Sequence, residues 1–225
     1  ELCTAYFMPQ NDFKKKQLLE LSESSGMPFG ILKDVAPRAH AQPMLRIPAT
    51  VSLRADFQTA LAQPLRVVIA GSAGQKIKST ATLLGRAAIR AGLFATQKDD
   101  YPITVKTGHS ISEVILSPRP ISFTGIERPD ISLVLATEGL SRARVLIEAT
   151  AGSVFSDAGF DFATGARRFD LDLTALARSI GKENIALHAV ARMAKELDPV
   201  LFESLVDTVK RFTPEKYRDA ALRAV

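Results

Sequence analysis

Two stretches of this chain carry side chains that could do chemistry. The first is Gly71-Ser72-Ala73-Gly74-Gln75-Lys76, directly after the apolar run Arg66 to Ala70. A glycine turn between a strand and a helix can leave backbone N–H groups, and the positive end of the helix, free to hold a phosphate or carboxylate. Lys76 and Lys78 would add charge there. A dinucleotide fingerprint needs glycine at its first, third and sixth positions, and here those positions are Gly71, Ala73 and Lys76. A phosphate-binding loop that starts at Gly71 needs glycine where Lys76 stands. Both templates fail. The expected role of Gly71, Ser72, Gly74 and Gln75 is a tight strand-to-helix turn that also forms an interface, with anion binding as the alternative.

The second stretch is YPITVKTGHSISE, Tyr101 to Glu113. It reads as a polar loop between strands, where α/β folds gather function. Tyr101, Lys106, Thr107, Gly108, His109, Ser112 and Glu113 are its candidate contact residues. His109 beside a lysine is read as a hydrogen-bonding residue and not as a general base. His40 and His188 stand apart from it, and the chain contains no HExxH and no GxSxG. Asp99 and Asp100 are adjacent, but no carboxylates form a recognisable acid–base pair. Asp170 and Asp172 alternate with Phe169, Leu171 and Leu173 and are read as the outer side of a strand. No catalytic residue and no metal ligand is expected.

The single cysteine, Cys3, excludes an internal disulfide, a cysteine-rich zinc site and an iron–sulfur cluster held by this chain alone. A reducing cytoplasm is expected. The 225 residues, 46% of them apolar, suffice for one substantial core. No run approaches the ~20 apolar residues that span a bilayer, and no secretory signal opens the sequence. The net charge is +5, but the basic residues are scattered and the densest run, Lys14-Lys15-Lys16, is short. A solvated face is expected rather than a nucleic-acid site.

The elements that must position these stretches follow from periodicity. Residues 1–63 read as an extended arm, with a short helix at Phe13–Ser24, the strand-like run MPFGILKDV, and then Pro37, Pro43, Pro48 and Pro64 breaking the text. The domain proper is expected over 64–225. Strands are predicted at Val67–Ala70, Phe94–Thr96, Ser112–Ser117, Ile131–Ala136, Ser153–Ser156 and Phe169–Leu173. Helices are predicted at Ile77–Ala91, closed by Gly92, and at Glu138–Glu148, Leu173–Ser179, Glu183–Leu197, Val200–Phe212 and Pro214–Ala224. Strands alternating with helices predict an α/β fold: a mostly parallel open sheet flanked by helices in three Rossmann-like layers.

In that order, the strand, the GSAGQ turn, the small-residue helix ending in AG, Tyr101, Lys106 before Gly108, SEVILS, and the loop ending in Pro129-Asp130 resemble one family. It is the gamma subunit or domain of 2-oxoacid:acceptor (ferredoxin) oxidoreductases, which act on pyruvate, 2-oxoglutarate or indolepyruvate. The family turn reads Gly-x-Gly-Gly-Gln-Gly, so Ala73 and Lys76 replace two glycines. Lys106-Thr107-Gly108 stand where the family has Arg-Gly-Gly, and lysine lacks the planar fork of arginine. Ser112-Glu113-Val114 and Asp130 are kept, Asn184 matches a family asparagine, and Ala189 replaces a usual glycine. The arm segment KKKQLLELSESSGMPFGILKDV is similar to the end of the thiamine-diphosphate-binding beta subunit. With Glu1 first instead of Met, the chain is therefore expected to be a piece of a longer protein.

The resemblance implies a component that is inactive alone. Thiamine diphosphate, Mg2+, iron–sulfur clusters and in some members coenzyme A would sit on alpha- and beta-type partners, with electrons passing to a ferredoxin-like acceptor. Neither nucleic acid nor membrane is an expected partner. The competing reading is a stand-alone nucleotide-binding module, and a third is a basic RNA-associated protein.

Overall fold

The computed structural model describes residues 55–102 and 108–225, all within the compact unit Ser52–Val225. The helix expected at Phe13–Ser24, the strand-like run after it, and Lys106 and Thr107 lie outside the described residues.

Strand β1 (Leu65–Ser72) is the spine of the sheet, and Val67 to Ala70 are fully buried. A strand covered on both faces needs no polar alternation, and this one has little. Helix α1 (Ile77–Arg90) follows directly, burying Ile77, Ala81, Leu84 and Ala88 along one face. It closes as the sequence predicts. Gly92 takes φ 85°, its N–H donates to the Ile89 carbonyl at 3.0 Å, and the Leu93 N–H donates to the Ala88 carbonyl at 2.9 Å.

Then come β2 (Phe94–Asp100), β3 (His109–Ser117), β4 (Ile131–Val134), α2 (Thr137–Glu148), β5 (Ser153–Ser156) and β6 (Arg167–Asp170). The sheet order is β2-β3-β1-β4-β5-β6. Among the described residues all strands run the same way except β3, which is antiparallel to β1 and to β2. The mostly parallel sheet is thus as expected. The reversal of β3 follows from chain length, because the connection Tyr101–Gly108 is too short for a crossover helix.

Strands β2 and β3 are longer than their apolar cores suggest. Polar cross-strand pairs extend them: Lys98 faces Glu113 in register with a 3.0 Å ion pair, and Ser112 Oγ donates to Asp99 Oδ1 at 2.6 Å. The segment read as a loop from Tyr101 to Glu113 is therefore strand from His109 onward.

The carboxyl part of the chain forms α3 (Leu173–Ile180), a 3-10 turn (Lys182–Asn184), α4 (Ile185–Leu197), α5 (Pro199–Phe212) and α6 (Glu215–Ala224). Asp172 is the N-cap of α3, accepting from the Ala175 N–H at 2.8 Å, which corrects its reading as a strand residue. Strand β6 ends at Asp170 because that cap starts a helix so soon after it. Asp198 caps α5 in the same way, with Pro199 at the first helical position.

One core packs α1, α4, α5 and α6 against Val67, Ile69, Val114, Leu116, Leu133 and Phe155. On the opposite face α2 and the loops after β3 and β5 cover Val68, Ala70, Ile111, Ile115, Val134 and Val154. Residues 55–61 pair with the end of α1, where the Phe57 N–H donates to the Arg90 carbonyl at 3.1 Å. No helix among the described residues is long and apolar enough to cross a membrane.

Candidate functional site

The carboxyl ends of β1, β2 and β4 and the amino end of β3 meet at one edge of the sheet. The topology brings the two candidate stretches together there. Ser72 faces His109 in register, and the Ala73 N–H donates to the Gly108 carbonyl at 2.9 Å.

Gln75 organises the turn from within. It is buried, its Oε1 accepts from the Ser72 N–H at 2.8 Å, and its Nε2 donates to the Leu135 carbonyl at 3.0 Å. Its own N–H donates to the Ser72 carbonyl at 3.2 Å. The N–H groups of Ser72, Ala73 and Gln75 are thus committed inside the protein.

Each turn glycine has its own physical reason. A methyl group on Gly71 would lie 2.4 Å from Gln75 Oε1 and 2.6 Å from Ile77 Cδ1, so the tuck of Gln75 requires glycine. Gly74 faces open space but has φ +90°, a conformation that L side chains rarely adopt. Lys76, where the resemblance implies glycine, keeps the left-handed backbone at φ 53°. For a non-glycine residue that costs roughly 1 kcal/mol. Its Nζ rests 4.8 Å from the centroid of the Tyr217 ring on α6.

Gly139 is a site residue that sequence reasoning missed. A methyl group there would lie 2.4 Å from Gly71 N and 2.5 Å from the Ala70 carbonyl carbon. The first turn of α2 therefore rests directly on the backbone where β1 enters the glycine turn. The available signal was a glycine inside a predicted helix, which such a close approach explains.

In the second stretch, Tyr101 is exposed and Lys78 Nζ lies 5.4 Å from its ring centroid. His109 Nε2 lies 3.5 Å from Asp100 Oδ1 without a well-formed hydrogen bond. Arg142 of α2 holds Asp100 Oδ2 through Nε at 3.0 Å and Nη2 at 3.0 Å. Partial burial works against the Asp100 carboxylate, but the hydrogen bonds and charge of Arg142, with His109 close by, outweigh it and hold the group below the usual carboxylate range.

Ser112 and Glu113 do not join this cluster. Ser112 is fully buried against Asp99. The Glu113 carboxylate accepts from the Ile126 N–H at 2.6 Å and from Lys98, tying down the loop after β3.

Among the described residues the arrangement offers no serine or threonine hydroxyl hydrogen-bonded to a histidine or lysine. Among the described residues no three His, Cys, Asp or Glu side chains group closely enough to hold a metal ion. A hollow of about 340 Å³, lined by Arg66, Ile115, Ser117, Arg119 and Phe123, sits at the other end of β1, away from both stretches. What the described part of the carboxyl edge presents is a glycine turn braced by Gln75 and flanked by Lys76, Lys78 and Arg142.

Residues 66–225 match the family model described as pyruvate ferredoxin/flavodoxin oxidoreductase. No curated protein sequence matches the chain. The fold is similar to that of the 2-oxoglutarate:ferredoxin oxidoreductase of Magnetococcus marinus, solved with 2-oxoglutarate, coenzyme A and succinyl-CoA bound. That match has TM-score 0.61 and 18% identity, and covers 72% of this chain and 30% of that one. The chain therefore spans less than a third of that enzyme chain. It is also similar to the gamma subunit of a keto/oxoacid ferredoxin oxidoreductase from Geobacter sulfurreducens, with TM-score 0.57, 22% identity, and coverage of 71% of this chain and 93% of that one. A third similar fold is pyruvate oxidoreductase subunit PORC of Thermotoga maritima, with TM-score 0.54, 20% identity, and coverage of 72% and 93%. The gamma-type fold expected from the residues is the one observed, and the chain belongs to the pyruvate ferredoxin/flavodoxin oxidoreductase family.

Proposed function

We propose that this chain is the gamma-type component of a 2-oxoacid:ferredoxin oxidoreductase complex. The carrying observation is the family match over residues 66–225, on a chain whose glycine turn commits the N–H groups of Ser72, Ala73 and Gln75 to partners within the protein. In this reading the complex oxidatively decarboxylates a 2-oxo acid, forms an acyl-CoA, and works in the cytoplasm. Thiamine diphosphate with Mg2+ and the iron–sulfur clusters are held by alpha- and beta-type chains or domains, and a ferredoxin-like protein takes the electrons. One cysteine in the whole chain does not fit a cluster held by this chain alone, so in this reading the clusters belong to the partners. This chain's contribution is to brace and orient the carboxyl-edge turns against the partner that holds the substrate.

The test is co-expression of the chain with alpha- and beta-type subunits, followed by purification through a tag on this chain. The proposal expects a complex that reduces an acceptor dye with a 2-oxo acid, and the isolated chain to be inactive. A solitary chain that binds a dinucleotide with its pyrophosphate at Gly71 and Gly74 would overturn it.

A further inference from the structure

One stripe of α1 carries Leu83, Arg86 and Arg90 at helical spacing, and Lys76 stands at its amino end as the N-cap. At its far end Arg90 is neutralised, because Asp56 and Asp207 both grip its guanidinium. The two cations before it are handled differently. Lys76 Nζ lies 4.8 Å from the Tyr217 ring centroid, and Arg86 Cζ lies 4.8 Å from that of Phe212. Lys216 Nζ also sits 4.6 Å from the Tyr217 centroid. Among the described residues none of these three cations pairs with a carboxylate, whereas Lys78, Lys98, Arg142 and Arg144 all do.

Phe212 and Tyr217 are themselves 47% and 46% exposed, so the stripe is both apolar and positive at the surface. Glu215 and Asp219, the acidic residues of α6, are exposed and form no ion pair with it. Ile77, the first residue of α1 after Lys76, and Arg86 are nine residues apart, roughly 14 Å along the helix. That spacing suits several carboxylates on one extended or helical segment.

The geometry points to a docking surface on α1, Phe212 and Tyr217 for a carboxylate-bearing segment of a partner protein. This deepens the proposed role as a subunit and rests on it. Charge complementarity selects the occupant. Nucleic acid is the competing occupant of a positive surface, and the oligothymidylate arm of the test decides against it or for it. Cation–π attraction holds these side chains over the rings with no carboxylate beside them among the described residues.

The experiment compares the purified wild-type chain, the double variant Lys76→Glu/Arg86→Glu, and the control Arg144→Glu on α2, each checked for an unchanged thermal transition. Probes are a fluorescent oligoglutamate peptide and a fluorescent oligothymidylate of equal length. The expected result is salt-dependent peptide binding that falls about tenfold or more in the double variant but not in the control. Equal peptide affinity in all three proteins, no peptide binding by the wild type, or tighter binding of the oligothymidylate that the double variant loses would each overturn the inference. The same variants are then co-purified with the alpha- and beta-type subunits. Undiminished assembly of the double variant sinks the docking surface while leaving the subunit role standing. Failure of the wild type to assemble sinks the subunit role, and the peptide titration then decides the surface alone.

Discussion

The side-chain amide of Gln75 donates to the main-chain carbonyl of Leu135 at 3.0 Å, while the oxygen of the same amide accepts from the Ser72 N–H at 2.8 Å. One buried side chain thus fastens the glycine turn after β1 to the end of β4. A buried polar group stripped of its partner costs about 1–3 kcal/mol. Gln75→Ala leaves both Ser72 N–H and Leu135 C=O unpaired and is expected to lower stability by about 2 kcal/mol. Gln75→Glu is expected to do no better, since a carboxylate would face the Leu135 carbonyl oxygen. Urea unfolding with an unchanged m-value measures both. Wild-type midpoints would show that the turn does not depend on this clasp.

Gly139 and Gly74 make a contrasting pair. Alanine at Gly139 would press into the backbone of Ala70 and Gly71, whereas alanine at Gly74 meets nothing and pays only for its φ of +90°. Overpacking against backbone costs typically 1–3 kcal/mol or more, and left-handed strain about 1 kcal/mol. Gly139→Ala is therefore expected to be the more damaging, although Gly74 lies in the motif and Gly139 does not. Thermal unfolding of the two variants gives the order, and the reverse order would contradict it.

Arg90 binds Asp207, Asp56 and Thr208 at once, with Phe57 stacked 5.5 Å away. The Arg90 hydrogen bond, with Arg211 and Lys210 nearby, holds the Asp207 carboxyl below its ordinary 3.8. A carboxylate whose folded pKa is depressed adds stability above its unfolded pKa and loses it as pH falls through the folded value. Arg90→Met is expected to be less stable at neutral pH, with the gap to wild type narrowing below about pH 4. Stability measured against pH for the two proteins is the check. A gap that widens in acid would reverse the assignment.

Glu113 accepts the Ile126 N–H at 2.6 Å from beneath the loop that follows β3. Glu113→Ala is expected to raise amide hydrogen exchange at Ile126 at least tenfold while leaving the β1 amides protected. Unchanged exchange at Ile126 would mean that the loop is held by its apolar contacts alone.

Much of this architecture was legible in the sequence because local rules and global fold agree. The apolar run at Val67–Ala70 has no reason to alternate once both faces are covered, and the period of Ile77, Ala81, Leu84 and Ala88 together with Gly92 marks a helix and its end. The two candidate stretches were recognisable by their residue types, and the family by the order of its motifs. The direction of β3 was not legible, because a strand's apolar pattern reads the same in either direction. The predicted strands Phe94–Thr96 and Ser112–Ser117 left a connection long enough for a crossover, and only the pairing of β2, β3 and β1 in space lengthens the strands and so shortens it to Tyr101–Gly108. Nor was the role of Gln75, Gly139 or Glu113, since each is set by an atom far away in sequence: the Leu135 carbonyl, the Gly71 nitrogen and the Ile126 amide. Sequence determined which elements form, because helix and strand periodicity are local. Tertiary structure decided which polar groups remain free at the surface, because a hydrogen bond or an ion pair is spent only when distant segments meet.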